Sequence, residues 1–272
     1  VLLMLLCAVV GMCLATPGFI NLDLFAATLV GIALMASSAA AVNHIADAEI
    51  DARMARTKAR PVPSGRLTML QGLTFSAVCG LLGFALLYVA VNPLTAWLNM
   101  ASWVGYGLIY TLYLKRATPQ NIVIGGLFGA APPLFGWTAV TNAIEPGGLL
   151  LVLIFFIWTP PQFWALALDR KAEYAAADVP MLPITHGESV TRWHLLFYTV
   201  ALIVSSFLTY TFGMSGQLYL ASALVLGGVF LYLAIELVRN RNPRTPLTTF
   251  RYSILYLMLL FLFLLADHYV PY

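Results

Sequence analysis

Long apolar runs alternate with short polar stretches along the whole chain, and most of the runs are long enough to cross a bilayer. A helix through the ~30 Å hydrocarbon core needs about 20 mostly apolar residues. Runs of this kind recur at 1–15, 24–46, 69–91, 94–114, 120–141, 148–168, 194–212, 217–238 and 248–267. The pattern predicts an all-α, polytopic membrane protein of nine transmembrane helices, forming one domain over residues 1–272. The first run lacks the basic residues that precede the apolar region of a signal peptide, so it reads as a spanning helix whose beginning is missing.

The polar stretches fall into two sets. Those at 16–23, 92–93, 142–147, 213–216 and 268–272 contain no Lys or Arg, and the other set holds all 14. The positive-inside rule therefore places the basic stretches in the cytoplasm, with the N-terminus inside and the C-terminus outside. Composition agrees, since 61% of the 272 residues are hydrophobic and only 9% are charged. One soluble core cannot bury that much apolar surface. A net charge of +3 is too small to imply a nucleic-acid partner. Cys7, Cys13 and Cys79 lie in apolar runs without metal-ligand spacing and read as small apolar residues.

Candidate chemistry concentrates in residues 43–66, NHIADAEIDARMARTKARPVPSGR. Asn43, Asp47 and Asp51 stand at i, i+4 and i+8, one face of a helix, with Arg53, Arg56, Lys58, Arg60 and Arg66 behind them. Two carboxylates one turn apart suit Mg2+, which is usually held by one or two carboxylates and substrate phosphates. The basic residues would contact the same phosphates. A second stretch at 169–189 repeats the pattern, with Asp169 and Glu173 spaced i, i+4 beside Arg170, Lys171 and Asp178. Two acidic helix ends facing each other would hold metal on both sides of one diphosphate. Paired prolines at 132–133 and 160–161 predict kinks near a cavity or close helix packing. Glu236 reads as a local ion-pair partner of Arg239.

The first stretch resembles the Asn-x-x-x-Asp-x-x-x-Asp signature of the UbiA-type intramembrane prenyltransferases. More narrowly, it is similar to the protohaem IX farnesyltransferases, or haem O synthases. YTLYLKRATPQNIVIGGLFGAAPPLFGW at 110–137, WTPPQFWALAL at 158–168 and EYAAADVPMLPITHG at 173–187 resemble the same subfamily, in the same order. The resemblance implies a helix bundle around a central cavity open to the cytoplasmic side. It also implies Mg2+-dependent transfer of a farnesyl group from farnesyl diphosphate to a vinyl group of haem B, with Mn2+ as a substitute ion. Two positions depart from the subfamily pattern. Gln162 stands where His is usual, and Asp178 where Gly is usual. Gln can neither carry a proton nor ligate iron as His does.

The expected roles follow from the residues and the resemblance together. Asp47, Asp51, Asp169 and Glu173 are expected as metal ligands, with Asn43 beside them. Arg56, Lys58 and Arg60 are expected on the diphosphate, with Arg170 and Lys171 from the second stretch. Lys115 and Arg116 are expected on the diphosphate or on haem propionates. Candidate haem contacts are His44, Tyr106, Tyr110, Gln162, Trp164 and His186, with Trp103, Trp137 and Trp158 as further aromatic walls. His194 and His268 read as interfacial. Expected partners are farnesyl diphosphate, haem B and membrane lipid, with hand-off to a haem A synthase or terminal-oxidase assembly. The expected location is the bacterial inner membrane, with the site facing the cytoplasm. Two other readings compete: a quinone-pathway aromatic prenyltransferase with a hydroxybenzoate or naphthoate acceptor, and a membrane transporter. Acids clustered on one side argue against a transporter, which would line a path between both faces.

Overall fold

The computed structural model describes residues 2–16, 18–53 and 57–270, without the side chains of Arg53 and Arg116. Every regular element among them is helical. α1 (Leu2–Leu14) and α2 (Leu22–Ala46) are followed by the short α3 (Ala48–Arg53). α4 (Met69–Ala90) and α5 (Pro93–Trp103) lead into a π-helical stretch, Val104–Leu114, and the short α6 (Lys115–Ala117). α7 (Asn121–Gly129), α8 (Pro132–Thr141) and α9 (Pro146–Asp169) come next. α10 (Lys171–Ala176) and α11 (Leu182–Thr185) form the second polar stretch, before α12 (Glu188–Thr211), α13 (Gln217–Arg239) and α14 (Thr245–His268).

Among the described residues, seven helical stretches are long and apolar enough to cross a membrane, and α7 with α8 count as one. The two other predicted spans differ in form. α1 is a 13-residue apolar helix, and residues 93–117 join α5, the π-helical stretch and α6. Helix starts follow local chemistry. Thr68 and Gln71 form a reciprocal capping box at α4. Asn92 caps α5 through Thr95 N at 2.8 Å, and its amide also donates to Thr138 O of α8 at 2.9 Å.

The predicted kinks divide into two outcomes. Pro132 and Pro133 open α8 after a break at Ala130–Ala131, as expected of residues that cannot continue a helix but suit its first turn. Pro160 and Pro161 instead lie buried inside an unbroken α9. Close packing supplies the other expectation. A Cβ on Gly11 would stand 2.0 Å from Pro133 O, and one on Gly136 would stand 1.9 Å from Ala8 O. α1 and α8 therefore cross backbone to backbone, as small residues permit between membrane helices.

α2 packs along α4, and α9 packs on α12 and α14. A dense aromatic core that includes Trp158, Tyr219, Phe230, Tyr256 and Phe261 fills the α9–α14 side. Large apolar side chains such as Leu70, Leu81 and Val89 on α4, and Phe197 and Val204 on α12, point outward. Such a surface suits lipid rather than water.

Candidate active site

The first acidic pair straddles a helix break. Asp47 ends α2 and Asp51 lies in α3, so the single helix expected over 43–51 is two pieces. The backbone bonds Asp47 N to Asn43 O (3.0 Å) and Asp51 N to Asp47 O (2.7 Å) keep the three residues in helical register. Asp47 is 1% exposed and Asp51 4%. Each is matched by a cation. Lys115 Nζ bonds Asp47 Oδ2, and Arg60 Nη1 lies 2.6 Å from Asp51 Oδ2. Arg60 returns there because Thr57 Oγ1 donates to Asp51 O at 3.0 Å, and Arg60 N to Thr57 O at 2.9 Å. His44 stands within electrostatic range of both pairs, Lys58 is exposed nearby, and Arg56 lies outside the described residues.

Lys115 arrives by way of the π-helical stretch, an element the apolar pattern at 94–114 did not signal. π-Helical geometry is rare and concentrates at functional sites. Here one segment delivers several site groups. Thr111 Oγ1 donates to Tyr106 O at 2.8 Å and accepts Asn43 Nδ2 at 3.2 Å. Tyr106 and Tyr110 stack with centroids 5.4 Å apart. Two apolar cavities of about 260 Å³ each adjoin this stretch and share Met4, Tyr106 and Gly129 in their walls. One reaches Met35, Asn99 and Trp103. The other reaches Tyr110, Trp158 and Gln162.

The second acidic pair is built differently. α9 ends at Asp169, Arg170 makes the break, and Glu173 stands in α10. Arg170 serves both acids, with Nε 3.2 Å from Asp169 Oδ2 and Nη1 2.7 Å from Glu173 Oε1. The Glu173 hydrogen bond, then the charges of Glu173 and Asp169, raise the Arg170 pKa above its ordinary value. Lys171 turns away to Glu188 at 3.0 Å, and Arg192 joins it there at 2.9 Å. Asp178 has φ of 54°, in the left-handed region where Gly is at ease and Asp is tolerated. That explains why a Gly suits this position.

The structure does not gather the four expected metal ligands into one cluster. Among the described residues, no three His, Cys, Asp or Glu side chains form a metal-binding group. The first pair is instead matched one to one by Lys115 and Arg60, and the second shares the single Arg170. The donor set nevertheless fits a hard cation. Asp47 Oδ1 and Glu173 Oε2 are buried carboxylate oxygens without hydrogen-bond partners, which is rare for buried acceptors, and oxygen is what Mg2+ takes.

The aromatic and histidine candidates separate clearly. Tyr106, Tyr110, Gln162, Trp103 and Trp158 line the cavities. Trp164 does not; it is fully buried, with Tyr198 and His194 rings edge-on at 5.4 and 5.9 Å. Helix-on-helix packing between α9 and α12 claims it. Trp137 bonds Glu145 at 2.7 Å. His186 is exposed and bonds Thr185 Oγ1 at 2.9 Å, away from both cavities. Glu236 pairs with Arg239 at 2.7 Å, as expected. Two polar residues at the site carried no clear sequence signal. Thr111 sits in an apolar run. Asn121 looked like an ordinary helix start, yet it is fully buried and donates to Lys115 O at 3.3 Å.

Comparison with known proteins adds the following. Residues 4–265 match the model of the UbiA prenyltransferase family. The chain is 56% identical over 270 residues to the protoheme IX farnesyltransferase of Teredinibacter turnerae, covering 99% of this chain and 87% of that one. It is 57% identical over 269 residues to that of Legionella pneumophila, covering 99% and 92%. Among solved structures, an apo UbiA homolog from Aeropyrum pernix K1 superposes with a TM-score of 0.75 at 18% identity, covering 97% and 95%. A UbiA homolog from Archaeoglobus fulgidus, bound to DMAPP and Mg2+, gives 0.66 at 14% identity, covering 97% and 95%. At those identities the likeness is one of fold.

Proposed function

The chain belongs to the UbiA prenyltransferase family, and from that premise we propose that it is a protohaem IX farnesyltransferase. It joins the farnesyl group of farnesyl diphosphate to a vinyl group of haem B. The observation that carries the assignment to this site is the long-range one. Lys115 is brought across 68 residues of sequence onto a buried Asp47, beside the Asp51–Arg60 pair. Relatives named for this activity, more than half identical over nearly the whole chain, support the acceptor.

The chemistry divides between the charged site and the apolar cavity. Asp47 and Asp51 would hold Mg2+, with Asp169 and Glu173 doing so from the other side of the diphosphate. Bound there, Mg2+ supplies positive charge against the leaving diphosphate. Lys115 and Arg60, and Arg170 from the second pair, bind and orient the diphosphate, placing donors where negative charge grows. Lys58 adds positive charge to the same polar end, and Arg56 and Arg116, whose side chains lie outside the described residues, are assigned to the diphosphate from the sequence alone. The C1–O bond breaks and its electron pair leaves with the diphosphate, giving an allylic cation. The apolar walls at Trp103, Trp158 and the Tyr106–Tyr110 stack exclude water until the acceptor has attacked. The vinyl π electrons form the new C–C bond to C1. Water then adds to the resulting cation and loses a proton, leaving a hydroxyethylfarnesyl side chain.

The protein is read as one integral-membrane domain crossing the bilayer nine times, in the bacterial inner membrane with the site facing the cytoplasm. Two observations support this orientation: every Lys and Arg lies in one alternating set of polar stretches, and Lys115 of one such stretch meets Asp47 of another. The product would pass to a haem A synthase or an assembling oxidase. The test is incubation of purified protein with haem B, farnesyl diphosphate and Mg2+, followed by product mass. A farnesylated, hydrated haem is expected. Prenylation of 4-hydroxybenzoate with haem untouched would overturn the acceptor and leave the prenyltransferase.

A further inference from the structure

Resting on that reading, we propose that Lys115 is a resident counter-ion of Asp47 that bars a divalent cation from the site until a diphosphate arrives with it. Asp47 and Asp51 are buried, and Lys115 and Arg60 neutralise them one to one. A divalent cation entering alone would leave the cluster with two excess positive charges in a poorly solvated place, where like charges repel strongly. A diphosphate removes that obstacle. It gives the ammonium and guanidinium a new anionic partner and so frees the carboxylates for metal.

Local construction suits such an exchange. Asn121 Nδ2 holds the backbone carbonyl of Lys115 at 3.3 Å, so its position on the chain is fixed while the side chain can turn. A Lys side chain is a compact charge on a flexible four-carbon stem, able to pivot between partners. Asp47 Oδ1 is buried without a hydrogen-bond partner, while the Lys115 bond is made by Oδ2. Thr111 bonds the Asn43 amide at 3.2 Å beside this carboxylate, so the neighbouring polar group stays anchored during the exchange. The consequence is synergy: metal and diphosphate each bind better in the presence of the other, which keeps metal from occupying a site that has no substrate to ionise.

Equilibrium binding of Mn2+ to the purified full chain tests this, with and without the unreactive analogue farnesyl thiolodiphosphate. Values are corrected for Mn2+ held by free analogue. In the unmodified protein, the analogue should tighten Mn2+ binding by at least ~10-fold, within the usual range of coupling between sites. Lys115→Met should bind Mn2+ alone ~10-fold tighter than the unmodified protein, and bind it ~10-fold more weakly once the analogue is present. That crossing of signs is the signature, because a merely structural lysine would weaken both. Arg60→Met, on the more exposed partner, should show the same crossing if Lys115→Met proves too unstable to titrate. Mn2+ binding that is tight without analogue in the unmodified protein, or no tighter in either variant, overturns the inference alone. Absence of Mn2+ binding even with the analogue overturns the metal-assisted reading and this inference with it.

Discussion

At the first acidic pair, Asp47 and Asp51 are 1% and 4% exposed, and their cations come from outside the helix that carries them. At the second pair, the Asp169 and Glu173 side chains are 19% and 26% exposed, and both lean on Arg170, which lies between them in sequence. The sequence writes the two pairs alike: acid, acid one turn on, basic residues alongside. The fold makes one a buried pocket whose Asp47 takes a partner 68 residues away, and the other a partly wet helix end. Pairs of the second sort cost little to form and stabilise by about 0–1 kcal/mol. Burying the first pair carries a desolvation cost that a cation only partly offsets. A site that accepts that cost is the better candidate for chemistry.

Metal removal should give the largest effect, because on the proposed reading both pairs serve the same ion chemistry. Excess chelator should abolish turnover, with Mg2+ or Mn2+ restoring it and Ca2+ restoring it poorly, since the smaller ions fit a near-octahedral, phosphate-bridged site. Full turnover in chelator removes the common role that makes the pairs comparable.

Asp47→Asn and Asp51→Asn should each lower kcat by about 10²–10³-fold, the scale seen when one preorganised charge-stabilising group is lost. Thermal melting should show both variants still folded. Near-normal rates in both would break the claim that burial marks the catalytic pair.

Asp169→Asn sharpens the comparison from the other side. About a 10²-fold fall in kcat is expected, with almost no change in melting temperature, because Arg170 keeps its 2.7 Å bond to Glu173. An unaltered rate would reduce the second pair to a solvated helix end.

Gly125→Ala probes the floor of the first site. The added Cβ would stand 2.3 Å from the Tyr110 ring, so the ring must move within the cavity wall. A fall of roughly 10-fold in kcat/KM for farnesyl diphosphate is expected, corresponding to ~1.4 kcal/mol, and is read from steady-state rates. Asp178→Gly should do least. It relieves the left-handed φ of 54° and should add up to ~1 kcal/mol of stability, seen as a small rise in melting temperature with activity unchanged.

Much of the architecture could be read from the chain, because membrane solvent imposes strong rules. An apolar run of spanning length has few options other than a helix. The runs at 24–46, 69–91, 120–141, 148–168, 194–212, 217–238 and 248–267 all correspond to helical stretches long and apolar enough to cross. The Asn43–Asp47–Asp51 spacing was also visible, since backbone register depends on near neighbours. The places of Trp164 and His186, away from both cavities, were not visible, for the opposite reason. An aromatic or histidine side chain in a motif does not reveal which side of its helix faces a neighbour, and α12 covers Trp164 while His186 stays at the surface.

Composition, helix positions and the two acidic patterns are properties of local sequence, and they were determined there. What only the tertiary structure decided is which partner each charge meets. Lys115 reads as a propionate ligand or a diphosphate ligand until the π-helical stretch carries it to Asp47. The i→i+5 bonding of that stretch shifts where the side chains after Val104 point, and no apolar pattern encodes that shift. Burial decides the rest, because two carboxylate pairs of the same spacing acquire different energies once one is enclosed and the other remains near water.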